Sequence, residues 1–174
     1  MISNRILKPI SIIITIVIII QYLSVLAPIV QVRAETATVN EFDWNYELDS
    51  NGNAINVVPK DKSKISGDIV IPNELDGHIV TSIGERAFSF CENLKNIEIP
   101  SNVSCIKYYA FGWCRNLKSI KLTENITQIE DSVFYYCGKL ESIEISSNLE
   151  SIGYGVFYSC PAQIFVEKDS KGET

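Results

Sequence analysis

Four of the five cysteines in this 174-residue chain recur at a fixed interval, each three residues after a phenylalanine. The copies are Phe88/Cys91, Phe111/Cys114, Phe134/Cys137 and Phe157/Cys160, 23 residues apart. Cysteine can ligate zinc, act as a nucleophile or form disulfides, and the spacing bears on all three. Zinc sites pair their ligands at Cys-x2–4-Cys, which these copies lack. A nucleophile needs a base within reach, and the only histidine, His78, sits in a loop insertion of its own. A constant period of this length marks a stack of like supersecondary units. Stacked cysteines about 5 Å apart lie within the Cα range of a disulfide. Parallel side chains pointing into a core, however, behave as small apolar groups, so the four are expected as buried free thiols. Cys105 differs. It shares a column with Ser82, Gln128 and Ser151, is expected to be exposed, and could pair between chains or be incidental.

A second column stands just before the cysteines: Phe90, Trp113 and Tyr136, ending in Ser159. With Phe and Cys turned inward, part of this column faces out. Tyr108 and Tyr135 lie beside it, with Tyr109, Tyr154 and Tyr158 near by. Exposed aromatics in a row suit a sugar ring or a protein partner. The alternative is that they shield the edge of the stack by packing on one another. A third candidate surface is charged. Lys95 and Glu98, Lys118 and Lys121, and Glu141 and Glu144 occupy the outward positions of one strand in successive copies. Mixed charge of this kind is commonly a solvated face.

Other chemistry is sparse. Asp49-x-Asn51-x-Asn53 opens like a calcium loop, but Ala54 replaces the needed glycine and Lys60 stands where a bidentate Glu belongs. A hairpin turn explains these residues better. Asn102-Val103-Ser104 and Asn125-Ile126-Thr127 fit the glycosylation sequon but fall where the repeat places polar turns. No nucleophile–base pair or phosphate-binding loop is visible. The expectation is a non-enzymatic protein without metal or cofactor, with a surface hydrolase using carboxylates as the distant alternative.

The elements that position these residues follow from further columns: Val80/Val103/Ile126/Leu149, Ile83/Ile106/Ile129/Ile152, Leu94/Leu117/Leu140, Ile97/Ile120/Ile143 and Ile99/Leu122/Ile145. Leu-x-x-Ile-x-Ile ends in period two and predicts a strand with one buried face. Spacings around Phe88 predict a short turn or 3-10 piece opposite the strand. No single unit can bury its own apolar face, so stacking must do it. Phe42, Trp44, Tyr46 and Leu48 alternate with polar residues, and Asn51-Gly52 separates them from Ile55, Val57 and Val58. That pattern predicts a hairpin, placed to cover the first unit. The last unit drifts: Gln163 stands where leucine is expected, and Ile164 and Val166 are expected to carry the final strand in a shifted register. No C-terminal cap is visible, so that edge is either a short charged strand or meets a partner.

The first 34 residues read as an export segment. Arg5 and Lys8 precede an apolar stretch from Pro9 to Val32, and Val32-Arg33-Ala34 offers a signal-peptidase site. An uncleaved signal anchor is the alternative, because the stretch is long enough to span a bilayer. Either way Glu35 onward lies outside the cytoplasm. Removing Arg5, Lys8 and Arg33 leaves 12 basic against 21 acidic residues, a net charge of −9 rather than −6. A nucleic-acid binder would need a basic face, and this balance argues against one.

The columns closely resemble the BspA-like leucine-rich-repeat surface proteins. Their unit looks like Leu-x-x-Ile-x-Ile-Pro-x-x-Val-x-x-Ile-Gly-x-x-Ala-Phe-x-x-Cys. Ile97-Glu98-Ile99-Pro100, Val80-Thr81-Ser82-Ile83-Gly84 and Ala87-Phe88-Ser89-Phe90-Cys91 match it over roughly residues 65–166. Proline is lost after Leu122 and Ile145, and alanine becomes Val133 and Val156. The resemblance implies a secreted or surface-displayed solenoid associated with adhesion or host contact, with the outward strand face as its usual binding surface and no catalytic residue. The expected organisation is a signal peptide or anchor (1–34), an N-terminal hairpin cap (35–68), a leucine-rich-repeat solenoid of four units (69–166) and a polar tail (167–174). Expected partners are a protein or glycan at a cell surface, with dimerisation through the C-terminal edge or Cys105 as a further option.

Overall fold

The computed structural model describes residues 43–166. The expected export segment and polar tail lie outside them. Strands β1 (Trp44–Leu48) and β2 (Ala54–Pro59) form the antiparallel hairpin. Asp49 builds its turn: its carboxylate accepts from the Asn51 and Asn53 N–H groups at 2.8 and 2.9 Å and from Asn53 Nδ2 at 3.0 Å. Those donors hold the Asp49 carboxyl below its ordinary value. Both oxygens are thus spent on the turn, which accounts for the calcium-like spacing.

From Gly67 to Val166 the chain winds as a parallel coil. One sheet stacks β3 (Gly67–Val70), β7 (Leu94–Glu98), β9 (Ser119–Lys121), β11 (Ser142–Ile145) and β13 (Gln163–Val166) in that order. A narrower sheet continues from the hairpin through β6 (Ser82–Ile83), β8 (Cys105–Ile106), β10 (Gln128–Ile129) and β12 (Ser151–Ile152). Ile97 and Ile99, like Ile120 and Leu122 and Ile143 and Ile145, alternate inward and are buried, as period two requires, and Leu94, Leu117 and Leu140 are buried three residues ahead of them.

Both ends adjust the period without turning the strand over. Five extra residues enter the first coil, so Asp68 pairs with Asn96 instead of a residue 23 along. The insertion forms its own small hairpin, β4 (Glu74–Leu75) and β5 (His78–Ile79), turned by Asp76 and Gly77 with φ of 51° and 84°. Two positive φ values in succession suit Asp-Gly. At the other end β13 pairs Ile143 with Ile164 and Ile145 with Val166, an offset of 21. A shift of two keeps each side chain on its original side of the sheet, whereas a shift of one would invert the strand.

The hairpin covers the first coil in two ways. Val57 pairs with Ile83 across β2 and β6, and the Trp44 ring meets Phe88 edge-on at 6.1 Å. His78, the only histidine, is taken up here: its Nδ1 lies 2.8 Å from the Gly52 carbonyl, and its ring packs on Tyr46, whose hydroxyl donates to Asp76 at 2.7 Å.

Candidate functional site

Each coil turns its corner through residues of the Ala-Phe-x-x-Cys segment, and this corner is turn, not 3-10 helix. The single 3-10 piece among the described residues is Lys62–Lys64, ahead of the repeats. Hydrogen bonding gives the reason. Ala87, Ser89 and Cys91 donate locally, to Gly84, Arg86 and Phe88 carbonyls. The alternate amides of Arg86, Phe88 and Phe90 donate across to Tyr108, Ala110 and Gly112 of the next coil. A helix would spend every amide on itself; the corner spends every second one on its neighbour. Tyr109, Phe111 and Trp113 repeat the pattern, and so do Ser132, Phe134 and Tyr136.

That geometry forces two residues per corner into the left-handed region. One column is Arg86, Tyr109, Ser132 and Gly155, with φ of 53–63°; the other is Phe90, Trp113, Tyr136 and Ser159, with φ of 53–62°. Left-handed φ costs an L-residue roughly 1–2 kcal/mol, and a bulky residue there is an outlier. Glycine would relieve it, yet aromatic side chains hold three of four places in the second column.

Inside the corner, Phe88, Phe111, Phe134 and Phe157 stack face to face at 5.3, 5.5 and 5.6 Å, with interplanar angles of 5–9°. Cys114 and Cys137 are fully buried, and their thiols donate to the Phe88 and Phe111 carbonyls at 3.0 and 3.2 Å. Burial raises Cys91 to about 11 and Cys137 to about 12, and raises Cys114 strongly as well. The cysteine ladder is therefore a set of protonated core thiols. Two cysteines depart from expectation. Cys105 is half-buried rather than exposed, and burial raises its thiol. Cys160, at the end of the stack with no coil beyond it, is also only half-buried.

Outside the corner, four of the five aromatic candidates come together. Trp113 lies between Phe90 (5.9 Å, 18°) and Tyr136 (4.6 Å, 4°). Tyr135 packs on Tyr136 at 4.7 Å and stacks on Tyr158 at 5.1 Å. Tyr109 bridges Tyr135 (5.7 Å) to Tyr108 (5.6 Å). Tyr109 has room because Gly112 lies beneath its ring; a Cβ there would approach ring carbons to 2.4 Å. Arg115 sits 4.5 Å over Trp113, and Arg86 lies 5.7 and 5.9 Å from the Tyr108 and Tyr109 rings, cation–π contacts that sequence reasoning did not find. Phe90 is 61% exposed and Tyr158 56%. The column thus does both things its spacing allowed: rings shield one another and still present an aromatic surface. Trp113 is stacked on both sides, by Phe90 and Tyr136, whereas Phe90, at the end of the column, is stacked by Trp113 alone.

The charged candidates are exposed on the wide sheet. Glu98, Lys121 and Glu144 stand in one row across β7, β9 and β11. Lys95, Lys118 and Glu141 form another, linked by Lys118 N–H to the Lys95 carbonyl and Glu141 N–H to that of Lys118. Between them runs a polar ladder in which Ser119 Oγ donates to Asn96 at 2.7 Å and Asn96 Nδ2 to Asp68 at 2.6 Å. Two shallow hollows flank this face, of about 360 Å³ beside Lys118 and Glu141 and about 320 Å³ beside Lys121 and Glu144. Among the described residues no cluster is arranged to hold a metal, and no helix is long and apolar enough to cross a membrane.

Parallel strands at a 23-residue period, a buried Leu/Ile/Phe/Cys core and a capped first coil define a leucine-rich-repeat solenoid. The family model for BspA type leucine rich repeat regions matches residues 63–170 in six copies, and the chain belongs to that family. The fold is shared with solved bacterial proteins. A leucine-rich repeat protein from Bacteroides capillosus is 26% identical with a TM-score of 0.63, covering 72% of this chain and 94% of that one. A leucine rich cell surface protein from Faecalibacterium prausnitzii is 28% identical with a TM-score of 0.55, covering 73% of this chain and 38% of its own. A T. pallidum leucine rich repeat protein, 22% identical with a TM-score of 0.57, covers 71% and 67% and shows the fold alone. No curated protein matches the chain.

Proposed function

We propose that this protein is an exported, non-enzymatic binding module that holds a protein partner at a cell surface, with the aromatic corner as its contact site. One observation carries the reading: Phe90, Trp113 and Tyr136 occupy left-handed backbone where glycine is favoured. Stacking among the rings offsets part of that cost, and the remainder supports a role at the surface. Core packing does not explain it, since Phe90 is 61% exposed.

A protein partner fits this surface better than a glycan. Sugar rings stack on aromatic faces, and here the Trp113 faces meet Phe90 and Tyr136. Ring edges, tyrosine hydroxyls and the Arg86 and Arg115 guanidinium groups are the mixture that protein interfaces favour. The Lys/Glu rows of the sheet supply a second, electrostatic surface that would tune encounter more than affinity. The basic-then-apolar start of the chain supports export, and so does the similarity to a cell surface protein from F. prausnitzii.

The test is a binding screen of the secreted form against surface proteins and glycans, repeated with Trp113→Gly. Glycine removes the ring and relieves the backbone, so the variant stays folded. Loss of binding by about tenfold or more is expected, since a hot-spot aromatic is worth at least about 1.4 kcal/mol. Unchanged affinity for the partner found would discard the corner as the site.

A further inference from the structure

The two charged rows of the wide sheet have an order of their own. The coil of β7 carries one charge of each sign, Lys95 and Glu98. The coil of β9 carries two lysines, Lys118 and Lys121, and the coil of β11 two glutamates, Glu141 and Glu144. All six are exposed. Lys121 is in register with Glu98 on one side and Glu144 on the other, so opposite charges stand on adjacent strands about 5 Å apart. Even so, the ion pairs among the described residues are Glu85 with Arg86, Lys107 with Glu130 and Glu92 with Arg115, and none of the six takes part. Between the rows the side chains are short and polar: Asn96, Ser119 and Ser142. Their hydrogen-bond ladder runs from Ser119 through Asn96 to Asp68 and stops before Ser142.

We infer that this face binds a second copy of the chain across a two-fold axis parallel to the strands and midway between β9 and β11. That operation lays Lys118 opposite the second copy's Glu141 and Lys121 opposite its Glu144. An isologous contact repeats each pair, so every lysine of the two middle coils meets a glutamate. Other ways of facing two copies fail. An axis along the stack sets Lys118 against Lys121 and Glu141 against Glu144. An axis on β9 sets each lysine on its own counterpart, and one on β11 does the same with glutamate. An axis between β7 and β9 sets Lys95 against Lys118. The rows thus select one register and repel the rest. At the axis Ser119 meets Ser142, both small enough to let the faces approach, and the Ser142 hydroxyl is placed to extend the ladder of the other copy.

Exposed pairs contribute little each and are screened by salt, so the dimer is a weak one, suited to a crowded surface rather than to dilute solution. Neither row includes a residue of the aromatic corner. A pair of chains therefore presents two corners, a gain in avidity that needs no new contact. The inference goes beyond the corner reading and does not rest on it.

Sedimentation equilibrium of the full secreted chain tests the inference. At about 0.1 M salt, screening beyond about 10 Å removes most of the repulsion between two acidic chains and leaves the opposed pairs; at about 1 M it reaches about 3 Å and weakens these too. A monomer–dimer equilibrium is expected at the lower salt, with a dissociation constant that rises about tenfold or more at the higher. Lys118→Glu with Lys121→Glu makes the four middle positions uniformly acidic, and Glu141→Lys with Glu144→Lys makes them uniformly basic. Each variant alone should be monomeric, and an equimolar mixture of the two should dimerise. Carbodiimide coupling of a mixed unlabelled and isotope-labelled sample should join Lys118 to Glu141 and Lys121 to Glu144 between chains. A chain monomeric at the lower salt, a dimer that survives in either variant or at the higher salt, a mixture that stays monomeric, or coupling of Lys95 to Glu98 between chains overturns the proposal. Trp113→Gly keeps all six charges and should dimerise unchanged, while partner binding should persist in Lys118→Glu with Lys121→Glu, so the two readings fail separately.

Discussion

Trp113 and Tyr136 stack 4.6 Å apart with their planes within 4°, and both stand on left-handed backbone, at φ of 62° and 57°. Stacking of this kind is worth about 0.5–1.5 kcal/mol, comparable to the backbone penalty it offsets. Trp113→Ala loses the stacking and keeps the penalty; Trp113→Gly loses both. Trp113→Gly should therefore be more stable than Trp113→Ala by about 1 kcal/mol. Denaturant midpoints decide it, and equal midpoints would contradict the left-handed assignment.

The phenylalanine ladder makes a graded prediction. Phe134 is fully buried between Phe111 and Phe157, so Phe134→Ala should cost about 3–5 kcal/mol. Phe157 is only partly buried, having a neighbour on one side, and its truncation should cost distinctly less. Equal losses would mean that the last coil is covered in solution.

Thiol labelling of the folded protein should divide the cysteines by position in the stack. Cys105 and Cys160, both half-buried, should react first, and Cys91, Cys114 and Cys137 only on unfolding. Early labelling of Cys114 or Cys137 would sink the core assignment.

Most of this was legible in the residues, and the exceptions share a cause. The solenoid, the hairpin cap, the loop insertion that carries His78 and the shift of the last strand all follow from hydrophobic columns, which is what period and alternation record. Orientation about the backbone is not recorded there. Phe90, Trp113 and Tyr136 were visible as a column, but not that their faces meet. Nor was the second left-handed column, since Arg86, Tyr109 and Ser132 carry no signal for positive φ and only Gly155 hints at it. Cys105 was misjudged because its column is not uniform. Ser82, the neighbour one coil back, is buried, and its hydroxyl accepts the Asn56 amide of the cap, so the exposed Gln128 and Ser151 further along the column were a poor guide.

The buried thiols also set an alkaline limit on stability. In the unfolded chain a cysteine ionises near its ordinary value of about 8.5. In the fold, burial raises Cys91 to about 11 and Cys137 to about 12. Above the unfolded value the native state holds more protons than the unfolded one, so stability falls as pH rises. The contribution is fully present below about pH 8.5 and is lost progressively toward pH 11 for Cys91 and pH 12 for Cys137. Within that window each thiol adds a slope of about 1.4 kcal/mol per pH unit. Tyrosines titrate over the same range, so the comparison must be with a variant. Cys137→Ala should lower stability at neutral pH through its cavity and yet flatten the alkaline slope by about that one-thiol amount. Chemical denaturation at pH 7, 9 and 10.5 reads both effects. An unchanged slope would show that Cys137 ionises alike in both states, and so is not buried.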